Sequence, residues 1–207
     1  MYQCSKCGLT GCTKGDLSKT LPECPSLDRK EQEEIGRLYQ EKENHDIAYH
    51  AAVVEAEGYG RKTRIEEILD FIGRMQYKKI GLVFCMGLRK EALEVQKILE
   101  NHGLTVVSVT CKNGAFPKSS IGLRDEETVS GCSGEIMCNP IGQAFFMNRE
   151  KTEFNIILGL CVGHDTLALK YLEAPVTILA VKDRVTGHNP LAPIYLAQGY
   201  YHDKLYR

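Results

Sequence analysis

Nine cysteines are spread over 207 residues, and eight of them fall into two patterns that could do chemistry. The first is compact: Cys4-x2-Cys7-x4-Cys12-x11-Cys24. Four thiolates so close in sequence can wrap one tetrahedral ion, and Gly8 behind the Cys4-x-x-Cys7 pair suits a knuckle turn. Zinc is one occupant. Pro25 directly after Cys24 resembles the Cys-Pro ending of ferredoxin cluster motifs, so an iron–sulfur cluster is the other. The spacing matches neither a standard zinc ribbon nor a standard ferredoxin. The competing reading is four free thiols on a polar loop. Against it, a segment of Cys, Gly, Lys, Ser and Thr has little besides a metal to order it.

The second pattern is dispersed. Cys85, Cys111 and Cys161 each close a short apolar run, at 79–85, 104–111 and 154–161, and a fourth run, 176–182, leads into Asp183. If these runs are parallel strands, their carboxyl ends share one edge of the sheet, where open α/β sheets bind ligands. Cys138 stands just before Asn139-Pro140, a helix-opening pair whose positive end favours thiolate. Four thiolates converging there suit a cubane cluster or a zinc ion, and three would leave a position open for substrate. The plainer reading is that cysteine is a small hydrophobe common at buried strand ends. His164-Asp165 follows Cys161, and Asp183-Arg184 precedes His188-Asn189. His164, Asp165, Asp183 and His188 are therefore the candidate acid/base or substrate-binding residues. The alternative makes Asp165 and Asn189 helix caps and Asp183-Arg184 an ion pair. Cys132 belongs to neither pattern.

The elements that would position these groups follow from periodicity. Residues 1–27 read as a loop-built knuckle, and 28–57 as two helices broken near Asn44. Gly58-Tyr59-Gly60 is a turn. Thr63-Arg64-Ile65-Glu66 has capping-box spacing, and Ile65, Ile68, Leu69, Ile72 and Met75 then share one helical face. Beyond this the chain alternates. The strand at 79–85 is followed by a helix with Leu88, Ala92, Val95 and Leu99 on one side, stopped at Asn101-His102-Gly103. After the strand at 104–111 comes a polar connection over about 112–137, then a helix from Asn139-Pro140. The strand at 154–161, a helix over 164–172 ended by Glu173-Ala174-Pro175, the strand at 176–182 and a last helix opened by Asn189-Pro190 complete the pattern. Apolar strands separated by helices predict an α/β fold: a doubly wound, mainly parallel sheet of about four strands. The expected division is 1–60, knuckle plus helices, and 61–207, the α/β domain.

Composition narrows the function. The 26 Lys and Arg against 27 Asp and Glu give a net charge of −1, so no strong field favours nucleic acid or an anionic membrane. No apolar run reaches the roughly 18 residues of a membrane helix, and the first residues lack a secretory pattern. A cytoplasmic protein is expected, with its thiols reduced and available to metal. No Gly-x-Gly-x-x-Gly follows the first strand, so a dinucleotide cofactor is not expected. His45 and His50 are five apart, not the four that puts two imidazoles on one helical face.

One resemblance runs over most of the chain. It is carried by Cys4-x-x-Cys7 with Cys12 and Cys24-Pro25, Phe84-Cys85-x-Gly87-Leu88, Cys111-Lys112 and Cys138-Asn139-Pro140-Ile141. Gly159-Leu160-Cys161-Val162-Gly163-His164-Asp165 and Val181-Lys182-Asp183-Arg184 with His188-Asn189-Pro190 complete it. In these segments the chain resembles an uncharacterised prokaryotic family of predicted metal-binding proteins, a domain of unknown function. The resemblance implies metal binding without naming the metal or a reaction. The expected function is a metalloprotein, with zinc or an iron–sulfur cluster, whose strand-edge site performs small-molecule or sulfur-related chemistry. The alternative is a non-catalytic metal-binding sensor, carrier or adaptor. The expected partners are the metal or cluster and a small-molecule ligand, with no membrane and no nucleic acid.

Overall fold

A computed structural model describes residues 1–206 and separates into two compact units, the first Met1–Gly60 and the second beginning at Arg61. The first unit opens with single 3-10 turns at Cys4–Lys6, Gly11–Lys14, Leu17–Lys19 and Pro25–Leu27. Helices α1 (Arg29–Leu38) and α2 (Lys42–Gly58) follow. Asp28 starts α1 by accepting the Glu31 amide at 3.2 Å. The break between the two helices falls at 39–41, earlier than the expected position near Asn44. Asn44 lies within α2, and its side-chain amide donates to the Leu38 carbonyl at 3.0 Å and to Glu41 at 3.1 Å. It satisfies the end of the preceding helix from inside the next one.

The second unit begins with α3 (Arg64–Met75), where the Glu66 carboxylate accepts from the Thr63 amide at 2.7 Å and from its hydroxyl at 2.6 Å. Then come β1 (Lys79–Phe84), α4 (Arg89–Asn101), β2 (Thr105–Thr110), α5 (Pro140–Arg149), β3 (Phe154–Leu160), α6 (His164–Tyr171) and β4 (Val176–Val181). Gly103 ends α4 at φ 75°, its amide donating to Glu100 O and that of Leu104 to Leu99 O. All strand pairs are parallel, in the order β2-β1-β3-β4. Ile68 and Ile72 of α3 pack with Ala92, Val95 and Leu99 of α4 against Ile80, Leu82 and Ile156 on one face of the sheet. Met147 of α5 and Ala168 of α6 pack with Val83, Ile157 and Leu160 on the other. The crossover to β2 therefore covers one face, and the crossovers to β3 and β4 cover the opposite one. The order reverses between β1 and β3, which makes their carboxyl ends the topological switch point.

Two details shape that edge. Register shifts on either side of Leu158 leave Gly159 unpaired with β4, at φ 68°. A β-carbon there would stand 2.2 Å from Leu88 Cδ1, so any side chain at this bulge position is strained and must displace Leu88. The connection at 112–137 is tied back on itself. Pro117 and Ile136 form an antiparallel bridge, Lys118 pairs with Glu135 at 2.5 Å, and the Ser130 amide donates to Glu135 at 2.8 Å. Lys118 and these donors hold the Glu135 carboxyl down to about 2.

The C-terminal helix differs from its expected form. Helix α7 is one turn, Ala192–Tyr195, and α8 is another, His202–Leu205. The Thr186 hydroxyl donates to the Asn189 carbonyl at 2.7 Å, and Pro190 and Pro193 bring no amides, so a helix does not begin at Asn189. No described helix is long and apolar enough to cross a membrane.

Candidate thiol site at the switch point

Backbone bonds extend the sheet one residue past its strands and line up the second cysteine group. Cys85 N donates to Leu158 O at 3.1 Å, Cys111 N to Phe84 O at 2.9 Å, and Lys182 N to Leu160 O at 2.9 Å. Asn139 N donates to Cys111 O at 2.7 Å, which brings Cys138 beside the end of β2. Asn139 also caps α5, accepting the Gly142 amide at 2.8 Å. Behind this row, the fully buried Gln143 donates its side-chain amide to Phe84 O at 3.0 Å and Val109 O at 2.6 Å. One α5 side chain thus clamps the ends of β1 and β2 together. The other atom of that amide, Oε1, is buried without a partner.

The sulfurs interact. Cys111 is hydrogen-bonded to Cys85 on one side and to Cys138 on the other. The Met86 amide also donates to Cys111 Sγ, at 3.3 Å. Cys138 stands at the end of this relay. The Cys111 hydrogen bond, helped by the Lys112 charge, outweighs burial and brings its thiol from 9.0 down to about 6. Its place before α5 acts in the same sense. Cys85 is pushed upward, first by its hydrogen bond to Cys111 and then by burial. Cys111 is raised as well, chiefly by its bond to Cys138. These opposite shifts make Cys138 the first of the three thiols to ionise. Cys161 lies close enough to Cys138 to oppose its ionisation, and Arg184 Nη2 donates to Cys161 Sγ at 3.2 Å.

The candidate acid/base residues separate into two classes. His164 joins the thiols: it feels the charges of Cys85 and Lys112, and burial followed by Lys112 lowers its pKa, keeping the imidazole neutral. The other three serve local backbone. Asp165 Oδ1 accepts the Thr166 amide at 2.8 Å. Asp183 Oδ1 accepts the amides of Val185 at 2.9 Å and Thr186 at 3.0 Å. His188, at φ 69°, accepts the Asp183 amide on Nδ1 at 3.1 Å and donates its own amide to Asp183 O. Asp183 and His188 close one loop on each other.

The groups that sequence reasoning overlooked are cationic. Arg184, which the alternative reading paired with Asp183, bonds Cys161 instead. The Lys112 ammonium donates to the Ile136 carbonyl while its charge reaches Cys138 and His164. Lys182 lies over the switch point. Ideal β-carbons on Gly159 and Gly87 would stand 3.6 Å and 3.7 Å from its Nζ, and the latter 3.8 Å from Cys85 Sγ. The available signal was position: each cation directly follows a strand end or alternates past one.

In the first unit, Cys4, Cys7 and Cys24 line one small depression together with Glu23, and the exposed Cys12 is outside that lining. Among the described residues, no three or more His, Cys, Asp or Glu side chains are arranged so that they could hold a metal ion. Among the described residues, the exposed Cys132 bonds only to Ser130.

Comparison with known proteins adds kinship without adding a reaction. An uncharacterised protein of Methanocaldococcus jannaschii is 42% identical over 204 residues, covering 98% of this chain and 97% of the relative. No solved structure matches. Residues 24–179, which include Cys24 and all four strand-edge cysteines, match the family described as protein of unknown function, DUF1847, and the chain belongs to that family.

Proposed function

We propose that this protein binds a metal ion or iron–sulfur cluster through Cys85, Cys111, Cys138 and Cys161, and uses that site for small-molecule or sulfur-related chemistry. The observation that carries this reading is the approach of four cysteines from four distant segments along the carboxyl edge of the sheet, with Cys111 between Cys85 and Cys138 and Cys161 within electrostatic reach of Cys138. Burial alone does not account for them, because Cys138 and Cys161 are only partly buried and Cys161 is held by an arginine. The surroundings suit a polythiolate. Metal ligands must be deprotonated, and Cys138 is poised to ionise before the others. Lys112, Lys182 and Arg184 would offset the two net negative charges left by four thiolates on a divalent ion or on an oxidised cubane. The Met86 amide and Arg184 would supply the hydrogen bonds to sulfur that hold and tune such ligands. Side-chain rearrangement would have to replace the thiol–thiol hydrogen bonds with bonds to the metal. When bound, the group would supply Lewis acidity or redox capacity. Neutral His164 would accept or return a proton beside it.

In the first unit we assign Cys4, Cys7, Cys12 and Cys24 to a separate ion with a structural role, which requires Cys12 to swing toward the other three. A cytoplasmic setting fits both sites, since the thiols must stay reduced. The test is metal and sulfide analysis with an absorption spectrum on protein purified without oxygen. Wild type should carry metal at both groups, and a Cys85→Ala, Cys161→Ala protein should lose only the second-unit share. Folded, anaerobically prepared wild type that gains no zinc or iron when these are supplied would overturn the reading.

A further inference from the structure

Three cations face the strand-edge crevice, and two have partners: Lys112 at the Ile136 carbonyl and Arg184 at the Cys161 sulfur. Lys182 differs. It is half-buried, and among the described residues its ammonium makes no hydrogen bond and no ion pair. Its position is fixed from below: the main chain of Lys182 bonds Leu160 O, which carries the side chain back over the ends of β1 and β3. The surface beneath Nζ is formed by Gly87 and Gly159: a β-carbon at Gly87 would meet Nζ and Cys85 Sγ only at ordinary contact distance, whereas the space over Gly159 is held by Leu88. The nearby carboxylates do not answer it. Asp183 is turned into its own loop and Asp165 is bonded to Thr166. An ammonium with no partner in the protein keeps its donors available to a ligand's charge. Its placement at the switch point, where ligands of open parallel sheets bind, gives the missing counter-charge a location.

We propose that the crevice binds a small oxyanion-bearing ligand, a phosphate or a carboxylate, on Lys182 above Gly87 and beside Cys85. This uses the same crevice as the metal reading but requires no metal, so the two can fail separately. The anion would sit on the cation while the rest of the ligand extends toward the thiols and His164. Arg184 and Lys112 strengthen the field without being spent on the ligand.

The test is nuclear magnetic resonance titration of metal-free, reduced full-length protein with inorganic phosphate and, separately, with acetate, following the backbone amides of Gly87 and Gly159. Expected are saturable shifts centred on those two amides with a dissociation constant in the millimolar range, as suits one principal charge contact. Lys182→Met should weaken binding at least about tenfold, and Lys182→Arg should restore most of it. Gly87→Ala is the steric arm. Its new methyl meets neighbours only at ordinary contact distance, 3.7 Å and beyond, so the fold should stand while the floor fills and affinity falls. Binding by either anion with this pattern supports the proposal, and the stronger anion identifies the ligand's head group. Non-saturating shifts, shifts scattered over surface lysines, or equal affinity in wild type and Lys182→Met would overturn it. Metal content measured on the same preparations reports on the metal reading independently.

Discussion

If the Cys85–Cys111–Cys138 relay is what creates the reactive thiolate, then Cys111→Ala should move the ionisation of Cys138 without moving Cys138 itself. The Cys111 hydrogen bond is the largest of the effects that bring Cys138 from 9.0 down to about 6. Lys112 and the α5 terminus would remain in the variant, so the midpoint should recover to about 8, not to the full unperturbed value. At pH 7 the thiolate fraction would fall from about 0.9 to about 0.1. The rate at a single pH is nevertheless a poor witness. A thiolate of higher pKa is the better nucleophile, with a Brønsted slope of about 0.45, so two units of pKa return roughly eightfold in reactivity and nearly cancel the loss. The midpoint is the quantity to measure. Metal-free protein would be reacted with a small disulfide reagent across pH 4–10, with Cys138 followed by peptide mapping. Cys111→Ser is the companion variant: its hydroxyl can still donate, so its midpoint should remain near the wild-type value. A Cys111→Ala midpoint still near 6 would show that the charges, not the relay, set the thiolate. A wild-type midpoint near 9 would remove the relay altogether.

Other expectations follow from the same geometry. Gly159→Ala combines a positive φ with a 2.2 Å approach to Leu88, and should cost about 3 kcal/mol in denaturant unfolding; stability equal to wild type would refute the bulge assignment. Stability of the metal-free protein should rise with pH between about 6 and 8, because His164 and Cys138 both have depressed pKa values and the unfolded state binds more protons there. The Cys138 share is lost as pH falls from 9.0 toward about 6 and the His164 share as it falls below 6.5; a His164→Gln, Cys138→Ser protein should show a flatter profile, and an unchanged slope would count against both assignments. Cys4→Ser with Cys7→Ser should lose one metal equivalent and leave unfolding of the second unit unchanged, and retention of full metal would refute the knuckle site.

The alternation of elements in the second unit was legible because two periods do not overlap. Residues such as Leu82 and Ile156 fall in short apolar runs, whereas Ala92, Val95 and Leu99 recur at helical spacing. Strand order was not legible, because apolar strands buried on both faces carry no information about which neighbour each prefers. The convergence of Cys85 and Cys161 followed from parallel strands alone, but their standing on either side of the reversal required the order. Boundaries moved where side chains did something unexpected for their type. Asn44 bonds backward to Leu38 from inside a helix, and Thr186 occupies the Asn189 carbonyl where a helix was expected to open.

The acid/base set shows why residue type is a weak guide to role near a site. Asp and His are useful to catalysis because they exchange hydrogen bonds readily, and the same property lets them build tight loops. Asp183 and His188 lie five apart on a loop that leaves β4, and each satisfies the other's backbone; the positive φ of His188 is paid back by those two bonds. Arg184 and Lys182, beside Asp183 in sequence, point the other way, to Cys161 and over Gly87. Alternation past the end of a strand divides the segment: residues 182 and 184 address the crevice, while 183 addresses the loop. Mutation can separate these roles. Asp183→Ala should loosen the loop and shift the resonances of Val185 and Thr186, while Cys138 keeps its midpoint near 6. Should the Cys138 midpoint move as far in Asp183→Ala as in Cys111→Ala, Asp183 belongs to the thiol site after all, and the division of this segment by strand alternation is wrong.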